Sequence, residues 1–216
     1  MGLFGKGVAR ICAVVAALSA KEMAAQLRRA LRETPTVELR LDWLKSDAER
    51  RRFLVWLRRN RPRRAVLLAT CRRIEGGGLF AGSVQDELLW LAQAAEAGCL
   101  WCDLEIETLR KLPRNSIREH SLPRRILLSV HDFDRMPTLN PALKARWPAE
   151  VDAIKIAGTA RTIADSTRLL RFAANLQNCV AVPMGEVGLP ARLLALREAE
   201  PLAVEGLGPV DIVDKQ

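Results

Sequence analysis

Tyrosine is absent from this chain, and aromatic residues account for only 5% of it. The stacking platforms on which single-stranded nucleic acid lies are hard to build from so few rings. Also missing is any apolar run near the ~20 residues that a membrane-spanning helix requires, so no integral membrane protein is expected. Cysteine is sparse and odd in number: Cys12, Cys71, Cys99, Cys102 and Cys179 are scattered through apolar segments. A secreted disulfide framework is small and cysteine-dense, so these five read as reduced thiols in the core of a cytoplasmic protein. Cys99-Leu-Trp-Cys102 has C-x-x-C spacing. No second pair completes a zinc set, and its strand-like setting turns the two ends to opposite faces, so no metal is expected.

Positive charge is what the chain does not lack. Lys and Arg total 34 against 25 Asp and Glu, a net charge of +9, which favours anionic partners, from small carboxylates to polyanions. With 216 residues, 49% of them hydrophobic, there is material for one well-packed domain and too much apolar residue for a disordered chain. Lys6 and Arg10 precede the run Ile11-Cys-Ala-Val-Val-Ala-Ala-Leu-Ser-Ala20, an arrangement that mimics a short leader peptide. The reading adopted is a buried first strand followed by a helix from Lys21 to about Leu31. The Met-Gly start lacks Ser or Thr at position 6, so myristoylation is not expected.

Short β-branched runs recur along the chain, at Arg10–Ala17, Val37–Trp43, Ala65–Cys71, Leu100–Glu107, Arg125–Phe133, Asp152–Ala157, Cys179–Met184 and, more weakly, Pro201–Val204. Between most of them lie stretches of helical period: Lys21–Leu31, Ser46–Asn60, Val84–Ala97, Pro141–Ala145, Thr162–Asn175 and Leu189–Leu196. Ser46, Asp47 and Ser83 are suited to cap helices. Alternating strands and helices predict right-handed βαβ units around a parallel sheet. Eight units in 216 residues leave about 27 residues each, lean for a closed (β/α)8 barrel. The rival doubly wound sheet wants G-x-G-x-x-G after its first strand, and nothing of that kind follows Ala17. Gly76-Gly77-Gly78 lacks a P-loop's Lys-Ser/Thr ending and reads as a turn. The whole chain, 1–216, is read as one compact domain, atypical from about residue 197.

Polar residues interrupt these strands in a telling way. Glu38, Arg40 and Asp42 alternate with Val37, Leu39 and Leu41; Arg72 and Arg73 end the third run; Asp103 and Glu105 interrupt the fourth; His131 and Asp132 end the fifth; Lys155 sits within Ala153-Ile-Lys-Ile-Ala157; Met184 ends the seventh. In a parallel barrel, inward side chains near the carboxyl ends of the strands converge on one cavity. Flanked by apolar residues, Lys155 reads as a desolvated ammonium, and desolvation favours the neutral amine that attacks a carbonyl. The opposing reading is a strand-end lysine whose head group reaches water along its stem. His131, one of two histidines beside His120 in a polar loop, has the chemistry of a general acid and base. A histidine bonded to a backbone carbonyl is its bland alternative.

At these residues the sequence resembles the type I 3-dehydroquinate dehydratases, the Schiff-base enzymes of the shikimate pathway. The likeness is carried by Glu38-Leu-Arg40-Leu-Asp42, Thr70-Cys-Arg72 before the glycine turn, Asp103-Leu-Glu105, Ser129-Val-His131-Asp-Phe133, Lys155-Ile-Ala157 and Met184-Gly-Glu-Val-Gly188-Leu-Pro-Ala-Arg192, all in the family's order. The resemblance implies a (β/α)8 TIM barrel, commonly a homodimer, that works without cofactor or metal. It implies Lys155 as the Schiff-base lysine and His131 as the general acid and base of a syn elimination, a step toward chorismate and the aromatic amino acids. By the same likeness Glu38, Arg40 and Arg72 hold the substrate, Arg192 takes its carboxylate, and Met184 forms an apolar wall. Asp103, Glu105 and Glu75 are supporting acids.

Three features depart from that family. Its acid stands four residues after the third-strand arginine, whereas Glu75 follows Arg72 by three. Its late Ala-Pro-Gly-Gln lid motif has no counterpart here, and the chain is short, with Pro113 breaking the helix after the fourth strand. Alternative readings are another class I Schiff-base enzyme of aldolase type, an inactive relative, or a basic RNA-binding protein. The last would rest on Arg28, Arg29, Arg32, Arg50–Arg52, Arg58, Arg59, Arg61, Arg63 and Arg64. Such runs are more often solvated helix faces, and nucleic acid is not the expected partner.

Overall fold

A computed structural model describes residues 11–113, 116–139, 148–195 and 203–206. Eight parallel strands carry the fold: β1 (Ile11–Val15), β2 (Thr36–Arg40), β3 (Val66–Thr70), β4 (Trp101–Glu105), β5 (Arg125–Asp132), β6 (Ala153–Thr159), β7 (Cys179–Met184) and β8 (Ala203–Gly206). Around them lie α1 (Ala20–Glu33), α2 (Asp47–Arg59), α3 (Val84–Ala97), α4 (Ile106–Lys111), α5 (Ile163–Ala174) and α6 (Leu189–Ala195). The run that mimics a leader peptide is β1, and the helix after it starts one residue before the expected Lys21. The short helix expected at Pro141–Ala145 and most of the chain beyond about residue 197 lie outside the described residues.

Polar residues at the helix entries explain the boundaries. Ser19 and Ser46 accept from the amides of Glu22 and Glu49, while Ser83 with Asp86 and Thr162 with Asp165 form reciprocal capping boxes. The second strand is shorter than its alternation suggests: it ends at Arg40, and Leu41–Trp43 turn into a 3-10 helix. Pro113 does cut the helix after β4, which spans only Ile106–Lys111.

The strands follow in the order β7-β6-β5-β4-β3-β2-β1-β8, each paired with its neighbour in the chain and β8 returning to pair with β1. β7 and β8 approach one another without a ladder among the described residues. The outward set of each strand, such as Val37, Leu39, Leu67, Ala69, Cys102 and Leu104, packs with Met23, Leu27, Phe53, Leu57 and Leu91 of α1–α3 in the main core. On the far side Ile154, Ile156 and Ala181 pack against Leu169 and Ala173 of α5. Cys99 and Cys102 correct the expectation of opposite faces: both are reduced and both lie in the main core, because Cys99 precedes the strand and escapes its alternation.

Inside the barrel the inward set divides along its axis. Leu68, Trp101, Leu127 and Ala153 form an apolar plug toward the amino ends of the strands. One and two steps further along the same faces come Thr70 and Arg72, Asp103 and Glu105, Ser129 and His131, and Lys155 and Ala157. The polar layer lies on the carboxyl side of this plug, the end at which (β/α)8 folds carry their chemistry.

Candidate active site

Lys155 lies at the centre of that layer. Its Nζ is 3.5 Å from Asp103 Oδ2 and 4.0 Å from Glu38 Oε2, and all three side chains are almost wholly buried. The local sequence suggests an apolar setting for this lysine, which the structure corrects. Ile154 and Ile156, its neighbours in sequence, point outward to α5, while Lys155 faces carboxylates from β2 and β4. Strand alternation separates what sequence adjacency joins.

Asp103 links three strands. Beyond Lys155 it accepts from Arg72 Nη2 at 2.9 Å and from the hydroxyl of Ser129, the register partner of Lys155. Arg72 also lies 3.3 Å by Nε from Glu105 Oε1, an ion pair whose atoms are too poorly aligned to hydrogen-bond. Glu105 Oε2 accepts the Arg73 amide, and burial pushes its carboxyl up to about 7 against the pull of Arg72. Glu38 accepts from Thr70 Oγ1 at 2.7 Å. Burial alone would raise the Glu38 carboxyl, but the charges of Lys155, Arg72 and Arg40 outweigh it and hold it ionised, below the usual carboxylate range. Arg40 is fixed by Asp42, which accepts from its Nε at 2.9 Å and its Nη2 at 2.7 Å.

His131 stands at the carboxyl end of β5, two residues beyond the partner of Lys155. Burial first, then the charges of Arg72, Lys155 and Arg40, holds its imidazole well below 6.5, so it is neutral near pH 7 and can accept a proton. Met184 falls on the inward set of β7 by alternation with Val180, the register partner of Lys155. Arg192, on α6, donates to the Pro183 carbonyl at 3.3 Å. Pro183 is three residues up-strand from Val180, so this anchor stands roughly 10 Å above Lys155 along the strand, at the mouth.

The expected residues Glu38, Arg72, Asp103, Glu105 and Lys155 therefore meet in one connected network, with Arg40 held beside it by Asp42, His131 above it and Arg192 and Met184 at the rim. Glu75 does not join them. Its side chain is 56% exposed and pairs with Arg73 at 3.0 Å and Lys111 at 2.7 Å, because the 3-10 turn after β3 carries it outward. Gly76 next to it leaves room for Glu105: a Cβ there would fall 1.8 Å from Glu105 Oε1.

Sequence reasoning missed the supporting roles of Asp42, Thr70 and Ser129, although all three lie in motifs it quoted; the signal was polarity in phase with the interior face of a strand. It also missed Glu87 of α3, which accepts from Thr108 Oγ1 at 2.7 Å and whose carboxyl burial pushes up to about 8. Among the described residues no group of three or more His, Cys, Asp or Glu side chains is arranged to hold a metal ion.

Comparison with known proteins decides the family. The sequence profile described as Type I 3-dehydroquinase matches residues 11–202. The chain belongs to the type I 3-dehydroquinase family. It is 35% identical over 136 residues to a 3-dehydroquinate dehydratase of Desulfotalea psychrophila, a match covering 59% of this chain and 60% of that protein. It is 31% identical over 177 residues to one from Dehalococcoides mccartyi, covering 79% and 74%. Among solved structures it resembles the type I 3-dehydroquinate dehydratase of Clostridium difficile, with a TM-score of 0.76 at 18% identity, covering 98% of this chain and 88% of that one. The Geobacillus kaustophilus 3-dehydroquinate dehydratase gives 0.75 at 22%, covering 94% and 82%. The structural likenesses speak for the type I dehydroquinase fold, a TIM-barrel architecture in a single domain.

Proposed function

We propose that this member of the type I 3-dehydroquinase family dehydrates 3-dehydroquinate to 3-dehydroshikimate in the shikimate pathway, through a Schiff base on Lys155. The observation that carries the reading is a single one: a buried lysine held between Asp103 and Glu38 beneath a neutral histidine. The Lys155 amine adds to the substrate ketone, and loss of water gives an iminium. That cation makes the adjacent C–H acidic, because the electron pair left behind is drained into the C=N bond. His131 removes the proton, the enamine expels the β-hydroxyl, and the same imidazolium protonates it as it leaves. One base serving both events on one ring face makes the elimination syn. Hydrolysis of the iminium returns the water taken out at its formation and frees Lys155.

The other residues hold this chemistry in place. Asp103 and Glu38 offset the iminium charge, Arg72 and Arg40 face the substrate hydroxyls, and Glu105 fixes Arg72. Arg192 offers the substrate carboxylate a planar two-donor fork at the mouth, and Met184 supplies an apolar wall. The active protein is a cytoplasmic homodimer that needs neither metal nor cofactor.

Incubation with 3-dehydroquinate and borohydride tests the reading. A reduced adduct on Lys155, lost together with turnover in Lys155→Ala, is the expected outcome. An adduct confined to another lysine, or no rise in the ultraviolet absorbance of the enone product, overturns it.

A further inference from the structure

His131 has a buried Nε2 with no hydrogen-bond partner, and the supporting acid Glu75 is turned away to Arg73 and Lys111. Its neighbour Asp132 is also engaged elsewhere, capping the amides of Asp134 and Arg135 and pairing with the Arg135 side chain. What the imidazole does touch is a ring. His131 and Phe133 lie almost parallel, with centroids 5.9 Å apart and planes 11° apart, the offset arrangement that aromatic quadrupoles favour. Phe133 is the first residue past the end of β5, where the chain bends and brings its ring alongside that of His131.

Phe133 is in turn seated on the glycine turn that follows β3. Gly77 closes that turn in the left-handed region, at φ +78°, and a Cβ there would fall 2.4 Å from Phe133 Cε2 and 2.5 Å from Cζ. No other residue type fits without displacing the ring. Phe133 is itself 50% exposed, so burial of its own surface is a weak reason for that placement.

We infer that Phe133, seated on Gly77, is a positioning residue that sets the plane of the His131 imidazole in place of a side-chain hydrogen bond. A stack fixes the plane and leaves Nε2 free, so the ring can take up and return a proton without first breaking a bond to the protein. The charged groups facing the ring are Arg72 at the end of β3, Lys155 of β6 and Arg40 at the end of β2, all cationic, so with burial they favour the neutral imidazole. This role rests on the dehydratase reading, but the stack itself can be tested without turnover.

The chain has only two histidines, so imidazole proton resonances assign directly, with His131→Ala identifying one of the pair. In the wild-type protein the His131 ring protons are expected upfield, within the ring current of Phe133, with a titration midpoint well below 6.5. In Phe133→Leu and in Gly77→Ala they move downfield and the midpoint rises toward 6.5. In the same two variants kcat falls by about 10- to 10²-fold, KM moves less, and borohydride still traps the Lys155 adduct; Phe133→Trp keeps the stack and most of kcat. His131 resonances and titration unchanged in Phe133→Leu, with kcat intact, overturn the inference. If Gly77→Ala fails to fold, Phe133→Leu, at a half-exposed position, carries the test alone. A wild-type protein without turnover would sink the dehydratase reading while the resonances still judge the stack.

Discussion

At the scale of single residues, Asp103 is the one on which most depends, since Arg72, Ser129 and Lys155 all converge on it. Removing one partner of a buried ion pair leaves the others uncompensated, a loss of about 3–5 kcal/mol. Asp103→Ala is therefore expected to lower unfolding stability by that order in a urea titration, and Asp103→Asn, which keeps the hydrogen-bonding shape, by less. His131 lies outside this network, so His131→Ala should leave the urea midpoint nearly unchanged while slowing turnover by about 10²–10⁴-fold. Near-normal turnover in that variant would make His131 structural. For Arg192, steady-state kinetics should give a KM raised about tenfold or more in Arg192→Ala, the cost of stranding a carboxylate in a partly dry mouth. Arg192→Lys should recover only part of the loss, because a point charge lacks the fork.

Among the elements, α3 and α4 carry a titration that the proposed reaction does not use. Glu87 of α3 is buried behind β4 and lifted to about 8, first by burial and also by the nearby charge of Glu105. A carboxyl whose folded pKa exceeds its unfolded value stabilises the protein below the unfolded pKa, and that contribution is lost as pH rises through the folded one. Stability should therefore fall between about pH 5 and 8, with a slope of at most about 1.4 kcal/mol per pH unit for this one group. Glu87→Gln keeps an acceptor for Thr108 and cannot ionise, so its melting temperature should lose less across that window than the wild type's. Glu105, lifted to about 7, adds its own slope in both proteins. Equal slopes in the two proteins would place Glu87 in contact with solvent.

For the molecule as a whole, the arginines that suggested a nucleic-acid face divide once folded. Arg50 is buried, donating to the Leu41 carbonyl and Asp47 with its guanidinium over the Phe80 ring, so it belongs to the core rather than to a basic surface. Arg28, Arg29, Arg58, Arg59, Arg63 and Arg64 are exposed on α1, α2 and the segment after α2, where a salt-sensitive, purely electrostatic attraction is all they offer. Sedimentation should report a homodimer at twice 24.0 kDa, and a monomer that turns over at the same rate would remove assembly from the proposal. Among the described residues no helix is long and apolar enough to cross a membrane.

Most of the barrel was legible in the chain because its signals are local. Eight described strands and five described helices fall within a few residues of the expected runs, since alternation, β-branching and capping side chains act over a handful of positions. The polar residues of the site were legible for a related reason: an acid or a lysine in the interior phase of a strand is costly to bury unless it meets partners. Which partners it meets was not legible. Lys155 faces Asp103 and Glu38, 52 and 117 positions away, only because β2, β4 and β6 curl around one axis. The same curvature sends Glu75 outward on a turn and brings Phe133 down onto Gly77. Sequence alone determined the alternation that puts Lys155, Asp103 and Glu38 in the interior phase of their strands. The tertiary structure alone decided their distances, their burial and hence their charge states, because those depend on contacts between segments that no local pattern encodes.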